Sequence, residues 1–168
     1  MNKHIFIKFV LALALLVGVF VASWLAVPKQ DHFLISMMRV PCFGECPIYS
    51  LVIYSDGTVY YEGYAHVRTV GKASKRLRPD QVLRLVREIR NSGIFDKNAG
   101  CCRSRIKDVA FVNIEITLNG AASLAFYPLD SSNVIPPELR HLECVIDQVT
   151  NSEQWTGRLN DYCKNILN

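Results

Sequence analysis

Two short turn signals constrain this chain more than any other feature. Ser55-Asp56-Gly57 and Asn119-Gly120 each separate two runs of β-forming residues. Asp-Gly and Asn-Gly tolerate the positive φ angles of a tight hairpin, and a hairpin joins only antiparallel strands. Before the first turn, Tyr49, Leu51 and Ile53 alternate with Ser50, Val52 and Tyr54; Thr58 to Tyr64 return after it. Around the second turn, Val112, Ile114, Ile116 and Leu118 alternate with Phe111, Asn113, Glu115 and Thr117. Ala122, Leu124 and Phe126 then return. Alternation with period two is the signature of a strand with two distinct faces.

Phe33 to Arg39 reads as a further strand, and His66 to Val70 as an extended continuation of the first hairpin. Helices fill the rest. Pro79 and Asp80 suit a first helical turn, and Val82, Leu83, Val86 and Ile89 recur at helical spacing until Ser92-Gly93 stops the run. Pro136-Pro137 opens a second helix with Leu139, Leu142, Ile146 and Val149 on one stripe. A short third helix is expected from about Thr156, carrying Leu159, Tyr162, Cys163 and Ile166. The predicted order is β-β-β-α-β-β-α-α. The fold class is α+β: an antiparallel sheet of about five strands with two to three helices packed on one face.

Ahead of this domain, Phe9 to Val27 run for nineteen residues without a charge, behind Lys3 and Lys8. A spanning helix needs about twenty apolar residues, whereas a signal-peptide core needs roughly 7–15. The length favours an uncleaved signal-anchor; a cleaved signal peptide, with Val21 and Ser23 at the small-residue positions, is the alternative. Positive charge stays inside, so residues after 28 are expected outside the cytoplasm, periplasmic or extracellular. The chain thus divides into an N-terminal membrane or signal segment, 1–28, and one domain, 29–168. Residues 1–27 hold two lysines and no acid, leaving 17 basic and 15 acidic residues, a net of +2. That balance argues against nucleic acid as a partner.

Cys42-Phe43-Gly44-Glu45-Cys46-Pro47-Ile48-Tyr49, the Asp56-Gly57 hairpin and Val59, Tyr61 and Gly63 follow one another in order. With these residues the chain resembles a bacterial envelope domain family of unknown function that carries Cys-x-Gly-x-Cys-Pro-x-Tyr and Val-x-Tyr-x-Gly. The Ile94-Phe95 turn, Asp108, the Asn119-Gly120 hairpin and the Pro-x-x-Leu helix extend the likeness over roughly residues 33–150. The resemblance implies an extracytoplasmic domain and no particular activity. Cys101, Cys102, Cys144, Cys163 and the tail from Trp155 depart from the family pattern.

Outside the cytoplasm six cysteines read as disulfides, with about fifteen possible pairings. Cys42 and Cys46 share a turn and are expected to pair. Cys101 and Cys102 are expected to be stapled to Cys144 and Cys163 on the C-terminal helices. The alternative is a Cys144–Cys163 bridge. A redox pair at Cys42/Cys46 is disfavoured by its three-residue spacing, by the strand that follows, and by Glu45, which raises a thiol pKa. No metal site is expected, since His32, His66 and His141 are scattered, and no cofactor motif is present.

No nucleophile–base motif is present either, so the chain leans away from catalysis. Arg68, Lys72, Lys75 and Arg76, with Arg103 and Arg105 in a later loop, are candidate contacts for an anionic surface. Tyr54, Tyr60, Tyr61 and Tyr64 flank one hairpin and offer a second candidate surface. The leading expectation is a membrane-tethered, non-catalytic module that binds an envelope protein or an anionic surface. The alternatives are a thiol-disulfide oxidoreductase using Cys42 and Cys46, or an inhibitor of an envelope enzyme that presents residues 96–108.

Overall fold

The computed structural model describes residues 30–40, 44–96, 110–128 and 135–158, together with Lys3, Leu13, Ala14 and Cys163. The chain divides into two units, Met1–Gln30 and Asp31–Asn168. The uncharged run 9–27 lies outside the described residues except for Leu13 and Ala14. Among the described residues no helix is long and apolar enough to cross a membrane.

The second unit is α+β. Among its described residues are six strands: β1 (Phe33–Val40), β2 (Ile48–Tyr54), β3 (Thr58–Ala65), β4 (Gly71–Arg76), β5 (Phe111–Leu118) and β6 (Ala121–Pro128). Three helices accompany them: α1 (Pro79–Asn91), α2 (Pro137–Thr150) and the four-residue α3 (Glu153–Thr156). The strands form one sheet in the order β4-β3-β2-β1-β5-β6, and every neighbouring pair is antiparallel. β1 lies in the middle, between the two hairpins.

Both hairpins close where the sequence signals them. At the first, Gly57 N–H donates to the Tyr54 carbonyl at 2.9 Å and Gly57 adopts φ 88°. Only the glycine is left-handed here, because Asp56 uses its carboxylate to accept from the Thr58 N–H and hydroxyl. At the second, Asn119 and Gly120 both have positive φ, 50° and 89°, as a two-residue primed turn requires.

The sheet has six strands where the sequence pattern indicated about five. The additional strand is β4, Gly-Lys-Ala-Ser-Lys-Arg, in the stretch whose cations the sequence offers as contacts for an anionic surface. It has no apolar alternation because it is an edge strand that buries little. It is recruited by backbone pairing to β3, from Thr58 opposite Arg76 to Gly63 opposite Gly71. Its cations also keep the edge from pairing with another chain.

One face of the sheet is buried. Ile35, Met37, Leu51, Ile53, Ile114 and Ile116 point to it and are fully enclosed, together with Leu85 and Ile89 of α1 and Leu139 and Leu142 of α2. Each such side chain contributes about 1.5–3 kcal/mol. α1 and α2 are tied to each other by Arg84 to Gln148 at 2.6 Å and by Gln81 to the Val149 carbonyl at 3.0 Å. No described helix covers the opposite face.

Cys144 of α2 is bonded to Cys163, with their Cα atoms 5.1 Å apart. This corrects the expectation that Cys101 and Cys102 take these partners: Cys163 itself lies within bridging range of α2. Cys46 is also in a disulfide, and its partner lies outside the described residues, as do Cys42, Cys101 and Cys102. The third helix foreseen from about Thr156 falls outside them as well, apart from Cys163. The helix that is described there is α3, one turn earlier. Trp155 of α3 stacks on Tyr61 of β3 at 4.9 Å, and the turn after β3 donates to α3 through Thr69 N–H to the Trp155 carbonyl at 2.8 Å.

Gly63 is required by that turn. A Cβ at this position would collide with the Thr69 carbonyl oxygen and the Tyr61 hydroxyl, which are themselves hydrogen-bonded at 3.1 Å. We expect Gly63→Ala to lower stability by about 1–3 kcal/mol, the cost of overpacking against backbone. Urea unfolding of the two chains measures it, and an unchanged midpoint would contradict the close approach.

Candidate functional site

The densest set of chemical groups lies between the centre of the sheet and α2. β1 presents Phe33, Ile35, Met37 and Arg39 to the covered face, so alternation alone carries an arginine inward. α2 presents Glu143 and Asp147, one turn apart, on the side that also buries Leu139, Leu142 and Ile146. The two elements meet as ion pairs: Arg39 Nη1 faces Glu143 Oε1 at 2.6 Å, and Nη2 donates to Asp147 Oδ2.

Neutral groups complete the cluster. Arg39 Nε donates to the Tyr49 hydroxyl at 2.8 Å, and Tyr49 donates in turn to Asp147 Oδ1 at 2.6 Å. Tyr127 of β6 donates to Glu143 Oε2 at 3.0 Å. The end of α2 supplies the last donor. Asn151 is left-handed (φ 49°), with Asn151 N–H to the Gln148 carbonyl and Ser152 N–H to the Asp147 carbonyl, both at 3.0 Å. This helix-ending motif places the Ser152 hydroxyl 2.7 Å from Asp147 Oδ1. Asp147 sits at the negative end of the α2 dipole, where a carboxylate is disfavoured. The hydrogen bonds from Tyr49 and Ser152, together with Arg39, offset that, and Lys75 of β4 adds a cation at the same helix end, 3.1 Å from the Thr150 carbonyl.

Burial raises the stakes for every member. It opposes the Arg39 charge, but the Tyr49, Asp147 and Glu143 electrostatics more than compensate and hold the guanidinium well above its usual range. Burial pushes the Tyr49 phenol strongly up, with Arg39 pulling the other way and Asp147 adding to the rise. Tyr127 is raised by burial and by Glu143, and burial alone pushes Tyr61 up to about 12.

Accessibility decides what the cluster can do. Glu143, Asp147 and Arg39 are 0%, 1% and 5% exposed. Buried in this way, they pair with one another and with Tyr49, Tyr127 and Ser152 rather than with solvent. The cluster is a lock between sheet and helix. Its sequence signals were an arginine on the inward parity of β1 and two acids interrupting an apolar helical stripe. Tyr49, the last residue of the cysteine motif, belongs to it.

The opposite face presents different chemistry. Leu34, Met38, Tyr54, Tyr60, Tyr64, Leu124 and Phe126 point outward from it and are 38–54% exposed. Phe111 and Phe126 stack at 4.9 Å, and Tyr54 and Tyr60 meet edge to face at 6.0 Å. Tyr61, grouped with these tyrosines by the sequence, points the other way, into the core.

The basic residues do not converge. Lys72 and Arg76 lie on the open face, but Lys72 is opposite Glu62 in the β3–β4 register and Arg76 is 3.9 Å from Asp56. Lys75 turns inward to cap α2, and Arg68 leans on α3 through the Gln154 carbonyl at 3.4 Å. Arg103 and Arg105 lie outside the described residues, as does most of the loop 96–108. Among the described residues no three His, Cys, Asp or Glu stand together in a way that could hold a metal ion.

An antiparallel sheet with helices and a buried ion-pair cluster on one face, and the other face exposed, defines an α+β domain. The chain belongs to the family of domains of unknown function DUF6438, whose model matches residues 33–150. No curated protein matches it. The match ends at the last residue of α2, so Trp155 and Cys163 are attached to the family domain from beyond it.

Two outcomes follow from the lock. Arg39→Leu strands two buried carboxylates and is expected to cost about 3–5 kcal/mol in urea unfolding; a loss below 1 kcal/mol would mean the cluster is solvated. The raised tyrosines also predict alkaline instability. Tyr49, Tyr61 and Tyr127 stay protonated in the fold after their unfolded counterparts ionise near pH 10. The native state then binds more protons, so stability is complete below about pH 10 and falls as pH rises above it. The fall is up to about 1.4 kcal/mol per pH unit for each tyrosine. A pH series of unfolding midpoints should show a shallower decline in Tyr127→Phe than in the parent, and equal slopes would refute the assignment.

Proposed function

We propose that this protein is a non-catalytic binding module that meets another envelope component on its open sheet face. Residues 9–27 tether it to the membrane, and residues 29–168 work outside the cytoplasm, in the periplasm or extracellularly. The observation that carries the reading is the exposed row of aromatic and aliphatic side chains from Tyr64 and Tyr60 across to Leu124 and Phe126. Scattered apolar residues are ordinary on a surface, but seven large apolar side chains on one uncovered sheet face, with Tyr54 and Tyr60 in ring contact, favour an interaction site.

The tether rests on the uncharged run behind Lys3 and Lys8. The disulfide-bonded Cys46, Cys144 and Cys163 fit an oxidising compartment. The sheet face is preferred over the basic residues as the contact surface. Lys72 and Arg76 face acids, and Lys75 and Arg68 serve the helix ends, so no cationic patch forms among the described residues.

Site-specific photo-cross-linking in expressing cells tests the face. A cross-linker at Tyr60 or Phe126 should yield a discrete adduct, whereas one at Leu83, 70% exposed on α1, should not. Adducts from Leu83 alone, or from no position, would overturn the proposal.

A further inference from the structure

The register of β2, β3 and β4 arranges the open face as a grid. One row across the strands reads Ser50, Glu62, Lys72; the next reads Val52, Tyr60, Ser74. Beside them, Tyr54 and Tyr60 form a corner, with ring planes at 88°. One ring is therefore a floor where the other is a wall. The corner opens on one side into a hollow of about 300 Å³ lined by Ser50, Val52, Tyr54, Tyr60, Glu62 and Lys72. On the other side it opens into a second hollow of about 330 Å³ toward Asp56 and Thr58, and both hollows share Tyr54 and Tyr60.

The chemistry of this corner selects its ligand. The tyrosine faces carry negative π density, which attracts weakly polarised C–H groups, while their rims and neighbours are polar. Glu62 accepts hydrogen bonds, Lys72 donates them, and the Ser50 hydroxyl, 3.2 Å from the Tyr64 hydroxyl, can do both. Opposite charges stand beside each other, Glu62 across from Lys72 in the strand register and Arg76 3.9 Å from Asp56. An ion gains nothing from such a site. A purely apolar ligand would leave Glu62 and Lys72 desolvated and unmatched. A pyranose ring matches both halves, with C–H bonds on its face and hydroxyls around its edge.

We propose that the β2–β3–β4 part of the open face binds a neutral glycan, with consecutive sugar rings in the two hollows astride Tyr54 and Tyr60. This rests on the reading of the open face as the binding surface and names the ligand class for it. The hollows are shallow, so binding is weak, in the millimolar range, and it strengthens with chain length because two ring positions are available.

The test is isothermal titration of the full chain in a sugar-free detergent with chitotriose, cellotriose and maltotriose. We expect saturable binding of at least one trisaccharide, weakened at least tenfold by Tyr60→Ala and unchanged by Leu83→Ala. Tyr60 is 54% exposed, so its loss leaves the core intact. Binding that Tyr60→Ala leaves unchanged would overturn the site. No binding of any trisaccharide, with the Tyr60 cross-link still formed, would overturn the glycan and leave the face as a protein-binding surface. Failure of both would remove the face as well.

Discussion

The structure depends on the neutralisation of one buried charge. Arg39 sits in β1, the central strand, on the side that faces the helices. An arginine there would be prohibitive in an apolar core, because removing a charge from water without a partner costs far more than a domain's whole stability. Its partners must come from the element that covers it, and they do: Glu143 and Asp147 lie one turn apart on α2. The ion pairs therefore do more than add energy. They fix the rotation of α2 about its axis and its position along β1, since a shift by one residue would unpair both acids. Tyr49 and Tyr127 extend the same constraint to β2 and β6, so four elements are registered by one cluster. A wholly apolar interface of the same volume would hold α2 as strongly and specify its position less.

The parts of the fold written in local chemistry were readable from the sequence, and the parts written in long-range chemistry were not. Both hairpins, both long helices and the antiparallel character follow from turn residues, period and capping, all of which act within a few positions. β4 was hidden because Gly71-Lys-Ala-Ser-Lys-Arg76 has neither β-branched residues nor alternation. It is a strand only because β3 offers it a free edge. The cysteine pairing was hidden for a similar reason: Cys144 meets Cys163 because the fold places them within bridging range. The Arg39 cluster was half legible. The parity of Arg39 and the acids on the α2 stripe were visible separately, but only the packing angle between sheet and helix makes them one site.

The cysteine motif takes on a different meaning once it is placed. Cys46 is oxidised, and Tyr49, three residues later, is buried in the Arg39 cluster. The bridge restrains the chain just before β2, and Tyr49 fixes the start of β2 to α2. The motif is thus an entry clamp for a strand, which is a structural role. A related economy links the tail to the domain. Trp155 stacks on Tyr61, and Tyr61 holds the turn that Gly63 permits, so the segment beyond the family match closes the end of the sheet that β4 leaves thin.

These assignments leave the two faces with opposite characters for one physical reason. A sheet covered on one side by two helices must place its strongest packing there, and here its fixed charges went with it. Among the described residues, Arg39, Glu143 and Asp147 serve to register α2, where they cannot meet a ligand. What remains outward is determined by the other parity of the same strands: serines and tyrosines, Glu62 opposite Lys72, Arg76 near Asp56, Glu115 on β5, and apolar residues on β1 and β6. Such a surface cannot steer an ion, because its field cancels over a few ångströms. It can recognise a molecule that is itself apolar on its face and polar at its rim. Strand parity, which drove Arg39 inward and created the lock, therefore also sets the mixed aromatic and polar chemistry of the exposed face.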